Sequence, residues 1–199
     1  MTFLFDIGRV LLDFDFEASL TRLLPPGAGR ARERMMVLLE KRDEFETGAI
    51  TPDTYIAWAL RELEIPASPE EFRHAWCHIF TPVEPMWRVV RRLSAAGHRL
   101  ILFSNTNSIH CPWVFTEFPD FALFPEAVLS YQVGAIKPHP PIYQYAIDTH
   151  QLDPARTLYL DDLPANIATG LAFGFRAFQY DLTDHAAFET WLAAEMMRT

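Results

Sequence analysis

Four stretches of this 199-residue sequence carry the side chains best suited to chemistry. Each follows the end of a predicted strand. The residues are Asp6, Ser104 with Asn105, Lys137, and Asp161 with Asp162. Because the carboxyl ends of parallel strands meet at one edge of a sheet, where ligands bind, we expect these four stretches to lie close together.

Together these side chains form the set that metal-assisted phosphoryl transfer requires. Facing acidic loops repel each other unless a hard cation lies between them, and Mg²⁺ prefers carboxylates, water and phosphate oxygens. A serine hydroxyl and the amides at a helix start suit phosphate oxygens, and a lysine offers positive charge to a phosphoryl group. Since a carboxylate can also attack phosphorus, Asp6 is the candidate nucleophile.

The apolar runs predict the sheet that positions these residues. Strands are predicted over residues 3–5, 99–103, 127–130, 157–160 and 176–179. From residue 84 onward they alternate with helical patterns, including a final helix capped by Asp184. This alternation indicates an α/β fold with a parallel sheet covered on both faces.

A helical segment separates the first strand from this α/β pattern. Residues 16–85 show helical periodicity and little strand signal, with helix starts at Thr51-Pro52 and Ser68-Pro69. One helix is predicted to end at residues 25–27 and another to run from residue 30 to 46. We therefore predict an α/β core domain of residues 1–15 and 85–199, and a helical cap domain of residues 16–84.

Composition excludes several classes of partner. The net charge of -9 disfavours nucleic acid and anionic membrane surfaces as partners. No apolar run is long enough to span a bilayer, and the N-terminus lacks the pattern of a signal peptide. The two cysteines, Cys77 and Cys111, follow no metal or redox spacing, so we expect reduced thiols in a cytoplasmic protein.

In this order, the motifs resemble those of the haloacid dehalogenase-like (HAD) hydrolase superfamily. The resembling segments are FDIGRV (5–10), FSNT (103–106), KP (137–138) and LDDLPAN (160–166). The resemblance covers essentially the whole chain and implies a Rossmann-like parallel sheet core with a helical cap inserted after the first strand. The second and fourth motifs look most like those of bacterial α-D-glucose 1-phosphate phosphatases and of the phosphatase domain of soluble epoxide hydrolases.

The resemblance implies a magnesium site built from the first and fourth motifs. Asp6 would attack phosphorus and bind Mg²⁺ as well. The backbone carbonyl of Gly8 and the carboxylate of Asp162 would be further metal ligands. Asp161 and Asn166 would support this metal loop without binding the ion directly.

The resemblance also assigns the residues that would contact phosphate. Ser104 and Asn105 would hold the phosphoryl oxygens, and Lys137 would neutralise charge on the nucleophile and on the transferring group. Arg9 replaces a small or amide residue that the family often has there. It could bind the substrate or block the site.

One position departs from the family pattern. Most phosphatases of the family have a general acid/base aspartate two residues after the nucleophile, where this chain has Gly8. Such a group is typically worth about 10²- to 10⁴-fold in rate. Three explanations stay open: an easily departing group such as an anomeric phosphate, a proton from Asp13, Asp15 or His110, or poor catalysis.

These observations predict a Mg²⁺-dependent phosphatase that acts on a small phosphorylated metabolite, with a sugar phosphate as the expected substrate. The reaction would pass through an aspartyl-phosphate. The alternative is a non-catalytic relative that binds a phosphorylated ligand or a partner protein. Asp161 and Asp162 argue against the metal-independent dehalogenase branch. We expect a monomer or homodimer with no nucleic acid or membrane partner.

Overall fold

A five-stranded sheet forms the centre of the computed structural model, which describes residues 1–24 and 31–198. The strands are β1 (Thr2–Phe5), β2 (Leu12–Phe14), β3 (Phe80–Pro82), β4 (Arg99–Ser104), β5 (Glu126–Leu129), β6 (Thr157–Asp161) and β7 (Arg176–Gln179). Their order in the central sheet is β5-β4-β1-β6-β7, and every neighbouring pair is parallel. The predicted α/β class and parallel sheet are therefore confirmed.

Helices cover the sheet and fill the segment between β2 and β3. They are α1 (Phe16–Leu23), α2 (Ala31–Leu38), α3 (Arg42–Glu46), α4 (Pro52–Glu62), α5 (Pro69–Cys77), α6 (Glu84–Ala95), α7 (His110–Glu117), α8 (Ser130–Val133), α9 (Pro140–His150), α10 (Pro164–Ala172) and α11 (His185–Met196). None of the described helices combines the length and the hydropathy that a membrane crossing requires.

Helix starts follow their sequence signals, but one long helix was predicted where the chain is broken. Thr51 accepts a hydrogen bond from the Thr54 amide, and Ser68 forms a reciprocal capping box with Glu71. The single helix predicted over residues 30–46 is wrong, because a 3₁₀ turn at Leu39–Lys41 separates α2 from α3. The predicted helix end at residues 25–27 and the start at residue 30 lie outside the described residues.

Alternate side chains of the central strand β1 enter two apolar clusters. Phe3 and Phe5 pack on the face that also buries residues of α6 and α11. Leu4 packs on the opposite face, with residues of α9 and α10. A strand that is buried on both faces in this way fixes the position of Asp6, the residue that follows it.

A short antiparallel pair marks where the chain leaves and re-enters the core. β2 pairs with β3, and helices α1–α5 lie between them in sequence. Strand β3 was not predicted, because residues 16–85 carry little strand signal. This strand is three residues long, contains a proline, and forms through pairing with a strand distant in sequence.

Residues from α2 to α5 share a third apolar cluster. We keep the division into a core domain (1–15 and 85–199) and a cap domain (16–84) as a proposal.

The sheet edge away from the strand ends carries an ion cluster with a testable effect on acid stability. Arg99 Nε donates to Glu126 at 2.6 Å, and His150 Nδ1 lies 2.7 Å from the same carboxylate. Hydrogen bonds from Arg99 lower the pKa of Glu126 to about 2. A lowered carboxyl pKa stabilises the fold above the ordinary value of about 4.3 and loses that effect as pH falls toward about 2.

Glu126→Gln should therefore destabilise the protein most near neutral pH and less in acid. Because the group is partly exposed, we expect a loss of about 1 kcal/mol at about pH 7, which shrinks to about half near pH 3 and disappears only below about pH 2. Urea unfolding at both pH values would measure it, with the exposed Glu117→Gln as the control. An effect of Glu126→Gln that is equal at both pH values would contradict the assigned pKa shift.

Candidate active site

The sequence-predicted residues meet at the carboxyl edge of the sheet. Asp6 follows β1, Ser104 ends β4 and Asp161 ends β6, and these three strands are neighbours. A cavity of about 480 Å³ opens there. Core residues that line it include Asp6, Gly8, Ser104, Asn105, Lys137, Asp162 and Asn166. Residues between positions 16 and 84 that line it are Phe16, Leu38, Leu39, Arg42, Phe45, Glu46, Tyr55, Trp76 and Phe80.

Lys137 connects the nucleophile candidate to the acidic loop. Its side chain is fully buried, and its Nζ donates to the Phe103 carbonyl at 2.7 Å and to Asp161 Oδ2 at 2.6 Å. The same Nζ lies 3.1 Å from Asp6 Oδ1. Burial lowers the pKa of Lys137, but the two carboxylates outweigh it, so the pKa lies above its ordinary value. The ammonium is therefore charged and fixed.

Asp161 is completely engaged by protein groups. Its Oδ1 accepts hydrogen bonds from the Leu163 amide and from Asn166 Nδ2, both at 2.9 Å. Its Oδ2 accepts from Lys137 and from the Tyr159 hydroxyl at 2.6 Å. A carboxylate with both oxygens occupied is suited to holding the loop in place. This arrangement favours the prediction that Asp161 and Asn166 hold the metal loop and do not bind the ion directly.

The remaining oxygens fit a hard divalent cation. Ligand atoms of Asp6, Asp161 and Asp162 lie within 4.8 Å of one another. Asp6 Oδ1 is buried and makes no hydrogen bond, although Lys137 is within ion-pair distance. Burial, and then the charge of Asp161, raises the pKa of Asp162 to about 6. Because Asp161 is occupied, Asp6 and Asp162 are the carboxylates that could bind Mg²⁺, together with the carbonyl of Gly8.

Asn105 and Ser104 have different local roles. Asn105 Nδ2 donates to the Lys137 carbonyl at 2.8 Å, and its Oδ1 accepts from the Lys137 amide at 2.7 Å. The Asn105 side chain therefore holds the lysine loop in place. Burial raises the pKa of Asp6 to about 7, although the charge of Lys137 opposes this shift. The Ser104 hydroxyl donates to the Asn105 carbonyl at 3.3 Å, and Ser104 lines the cavity together with Asp6.

Arg9, Asp13 and Asp15 each contact other protein groups. Arg9 pairs with Asp13 at 2.7 Å and donates to the Phe14 carbonyl at 3.2 Å. Asp15 accepts from the Ala18 amide at the start of α1. Within the described part of the chain, Arg9, Asp13 and Asp15 are not among the residues that line the cavity. A substrate contact by Arg9 stays a prediction, and it would require the pair with Asp13 to break.

His110 lines the cavity, but both ring nitrogens are engaged. Asn107 Oδ1 accepts from the amides of Ile109 and His110, which leaves Asn107 Nδ2 to donate to His110 Nδ1 at 3.1 Å. The other nitrogen, Nε2, then donates to the Trp76 carbonyl at 3.1 Å. Burial lowers the pKa of His110 to about 4. A neutral imidazole fixed at both nitrogens is poorly placed to give a proton to a substrate.

Sequence reasoning missed what the cap contributes. The aromatic residues Phe45, Tyr55 and Trp76 are buried in the third apolar cluster, and all three also line the cavity. Arg42 and Glu46 were not singled out at all. No sequence signal distinguishes Glu46 from its exposed neighbours, because only the short α3 turns it toward the core.

A protein family and a curated enzyme match most of this chain. The family described as haloacid dehalogenase-like hydrolase matches residues 1–174. A curated D-ribitol-5-phosphate phosphatase from Bacteroides thetaiotaomicron is 28% identical over 194 residues, which covers 88% of this chain and 89% of that protein.

Two solved structures share the fold across almost their full length. An HAD family enzyme from Bacteroides thetaiotaomicron, solved with magnesium and inorganic phosphate, superposes with a TM-score of 0.77 at 23% identity and covers 91% of this chain and 94% of that one. An HAD-like family hydrolase from Porphyromonas gingivalis gives 0.77 at 24% identity, covering 96% and 97%. With the family match over residues 1–174, the chain belongs to the haloacid dehalogenase-like hydrolases.

Proposed function

We propose that this protein is a Mg²⁺-dependent phosphatase that hydrolyses a small phosphomonoester through an aspartyl-phosphate on Asp6. The observation that carries the proposal is the Asp6 carboxylate itself. It is buried at the carboxyl edge of the sheet, one oxygen makes no hydrogen bond, and a fixed lysine and two further carboxylates lie around it. A carboxylate in this setting is suited both to attack phosphorus and to bind a cation.

The residues of the site divide the work of phosphoryl transfer. Asp6 supplies the attacking oxygen, and the Lys137 ammonium favours its ionised form. The Ser104 hydroxyl lies beside Asp6, where it can donate to a phosphoryl oxygen. A Mg²⁺ ion held by Asp6 and Asp162 would supply positive charge to the phosphoryl group. Asp161, Asn166 and Asn105 keep the two loops in register.

The substrate is proposed to be the phosphate of a polyol or sugar. The cavity volume of about 480 Å³ is that of a small-molecule site. The curated relative is named for D-ribitol 5-phosphate, in which phosphate esterifies a primary alcohol. Because this relative is named for it, D-ribitol 5-phosphate is the first substrate to test. Glucose 1-phosphate is the second, because its anomeric oxygen is a better leaving group than the alkoxide of a primary alcohol.

Phosphate release from a panel of phosphomonoesters, with Mg²⁺ or with EDTA, tests this function. The panel contains D-ribitol 5-phosphate, glucose 1-phosphate, glucose 6-phosphate, flavin mononucleotide and 4-nitrophenyl phosphate. We expect turnover that requires Mg²⁺ and favours a polyol or sugar phosphate. Folded protein that binds Mg²⁺ but releases no phosphate from any of them would favour the non-catalytic alternative, a binding protein for a phosphorylated ligand or partner.

A further inference from the structure

The proposed phosphatase needs a proton donor that the first motif does not contain. Gly8 lines the cavity where the family usually has an acid. Asp13 and Asp15 are engaged elsewhere, and His110 is fixed and neutral. Burial raises the pKa of Cys111 to about 12, so its thiol is not a useful acid near neutral pH.

Glu46 is the cavity carboxyl that has none of these assignments. It lies at the end of α3 in the cap, and its side chain is only 19% exposed. It lines the same cavity as Asp6, Gly8 and Ser104. Its Oε2 is 3.9 Å from Arg42 Nε, too far for a hydrogen bond, because that guanidinium donates to Asp43 at 3.1 and 3.2 Å.

Glu46 has the proton affinity of a group that titrates near neutral pH. Burial raises the pKa of Glu46 to about 7. Smaller effects come from the charges that face it, with Asp43 and Asp6 raising the pKa and Arg42 and Lys137 lowering it. Tyr55 on α4 lines the same cavity, and burial, followed by the charge of Glu46, raises the pKa of this tyrosine. The charges of Asp6 and Lys137 therefore reach Glu46 across the cavity that all three residues line.

A close backbone contact holds α3 over the site. Gly48, which follows α3, has φ of 72°, and a Cβ added to it would lie 2.4 Å from the carbonyl oxygen of Tyr131 in α8. Only glycine allows this approach between cap and core. The Thr47 and Ala49 amides close the turn onto Asp43 and Glu44. The position of Glu46 is therefore determined by both domains.

We propose that Glu46 is the general acid and base of this enzyme, supplied by the cap in place of the residue missing at Gly8. The inference rests on the proposed function. In the first step, an Asp6 oxygen bonds to phosphorus and the ester P–O bond breaks with its electron pair on the leaving oxygen. The proton of Glu46 passes to that oxygen, which leaves an alcohol and a Glu46 carboxylate.

The second step restores both residues. A water oxygen attacks the phosphorus of the aspartyl-phosphate, and the Glu46 carboxylate takes one water proton. The P–O bond to Asp6 breaks with its electron pair on the aspartate, and inorganic phosphate is released. One group therefore serves as the acid in the first step and as the base in the second.

The test compares Glu46→Gln with Glu44→Gln, an exposed glutamate on the same helix that does not line the cavity. Both proteins keep Mg²⁺ and the same two substrates, D-ribitol 5-phosphate and 4-nitrophenyl phosphate. We expect Glu46→Gln to lower kcat for the alkyl phosphate about 10²- to 10³-fold. With the aryl phosphate, nitrophenol should appear in a fast burst followed by slow turnover, since only the water attack still needs a base.

The pH profile and a second variant give independent readouts. Because the acid must be protonated, wild-type kcat/KM for the alkyl phosphate should fall above about pH 7, and Glu46→Gln should lose this limb. Adding Gly8→Asp to Glu46→Gln should raise kcat for the alkyl phosphate by at least about tenfold, because the new carboxyl supplies an acid at the position where the family usually has one. The added side chain fits if the Phe14 ring shifts, since a Cβ at residue 8 would lie 3.1 Å from the edge of that ring.

Three outcomes would overturn the inference. The first is a Glu46→Gln protein with the same kcat for D-ribitol 5-phosphate as Glu44→Gln. The second is a Glu46→Gln protein in which only KM rises, as expected for a residue that binds substrate. The third is a Glu46→Gln protein that loses turnover of 4-nitrophenyl phosphate and shows no burst. In each case a wild-type enzyme that turns over with Mg²⁺ leaves the phosphatase proposal intact. Wild-type protein that binds Mg²⁺ but releases no phosphate from any of the five phosphomonoesters would overturn the phosphatase proposal and this inference together.

Discussion

Replacement of Asp6 by asparagine is expected to reduce turnover by at least about 10⁴-fold while the fold persists. The amide has the size of the carboxylate but cannot attack phosphorus, and it binds a cation more weakly. Asp6 follows a strand buried on both faces, so the local backbone does not depend on its charge. Phosphate release with Mg²⁺ measures the loss, and thermal unfolding checks the fold.

Asp13→Asn is the control for this experiment. This substitution removes the same charge from a nearby carboxylate. Asp13 pairs with Arg9 and is not among the described residues that line the cavity. Its turnover should stay within about threefold of wild type, as is usual for a surface change. If Asp6→Asn keeps more than about a tenth of the activity, Asp6 is not the nucleophile.

Replacement of Lys137 by methionine should remove activity and also destabilise the fold by about 3–5 kcal/mol. The ammonium is fully buried between Asp6 and Asp161, so its loss leaves two like charges facing each other without compensation. Urea unfolding in EDTA measures the stability, because bound metal would otherwise mask part of the effect. Lys41→Met, at the only other lysine, is the control, since that side chain is a third exposed.

A double variant separates the two consequences of losing Lys137. Adding Asp161→Asn removes one of the uncompensated carboxylates and should recover at least about 1 kcal/mol of stability. It should not recover turnover, because Asp6 still lacks the nearby positive charge. A Lys137→Met protein as stable as wild type would show that the carboxylates are not held together by the lysine. Recovered turnover in the double variant would contradict the catalytic role of Lys137.

The sequence alone was sufficient for the fold class and the family. Short apolar runs that alternate with helical periodicity specify a parallel sheet, and in such a sheet the strand ends share one edge. The placement of Asp6, Ser104 and Asp161 directly after or at the ends of strands therefore implies that they meet. The pairing of β1 with β4 and β6 places them on neighbouring strands. Helix starts at Thr51 and Ser68 were also predictable, because their signals are local.

Tertiary contacts decided the features that depend on residues distant in sequence. Strand β3 exists only through its pairing with β2, and the break between α2 and α3 has no local signal. Arg9 is placed by Asp13 and Phe14, and His110 by Asn107 and Trp76. Neither set of partners can be identified from composition or periodicity.

The motif residues around Asp6 were determined by sequence because strand ends fix them, and their chemistry follows from residue type. The contribution of the cap was decided only by the tertiary structure. Glu46 differs from Glu44 in that α3 packs its last turn toward the core, where Gly48 allows contact with Tyr131. Burial against residues distant in sequence then raises the pKa of that carboxyl, and burial of this kind is a property of the folded chain.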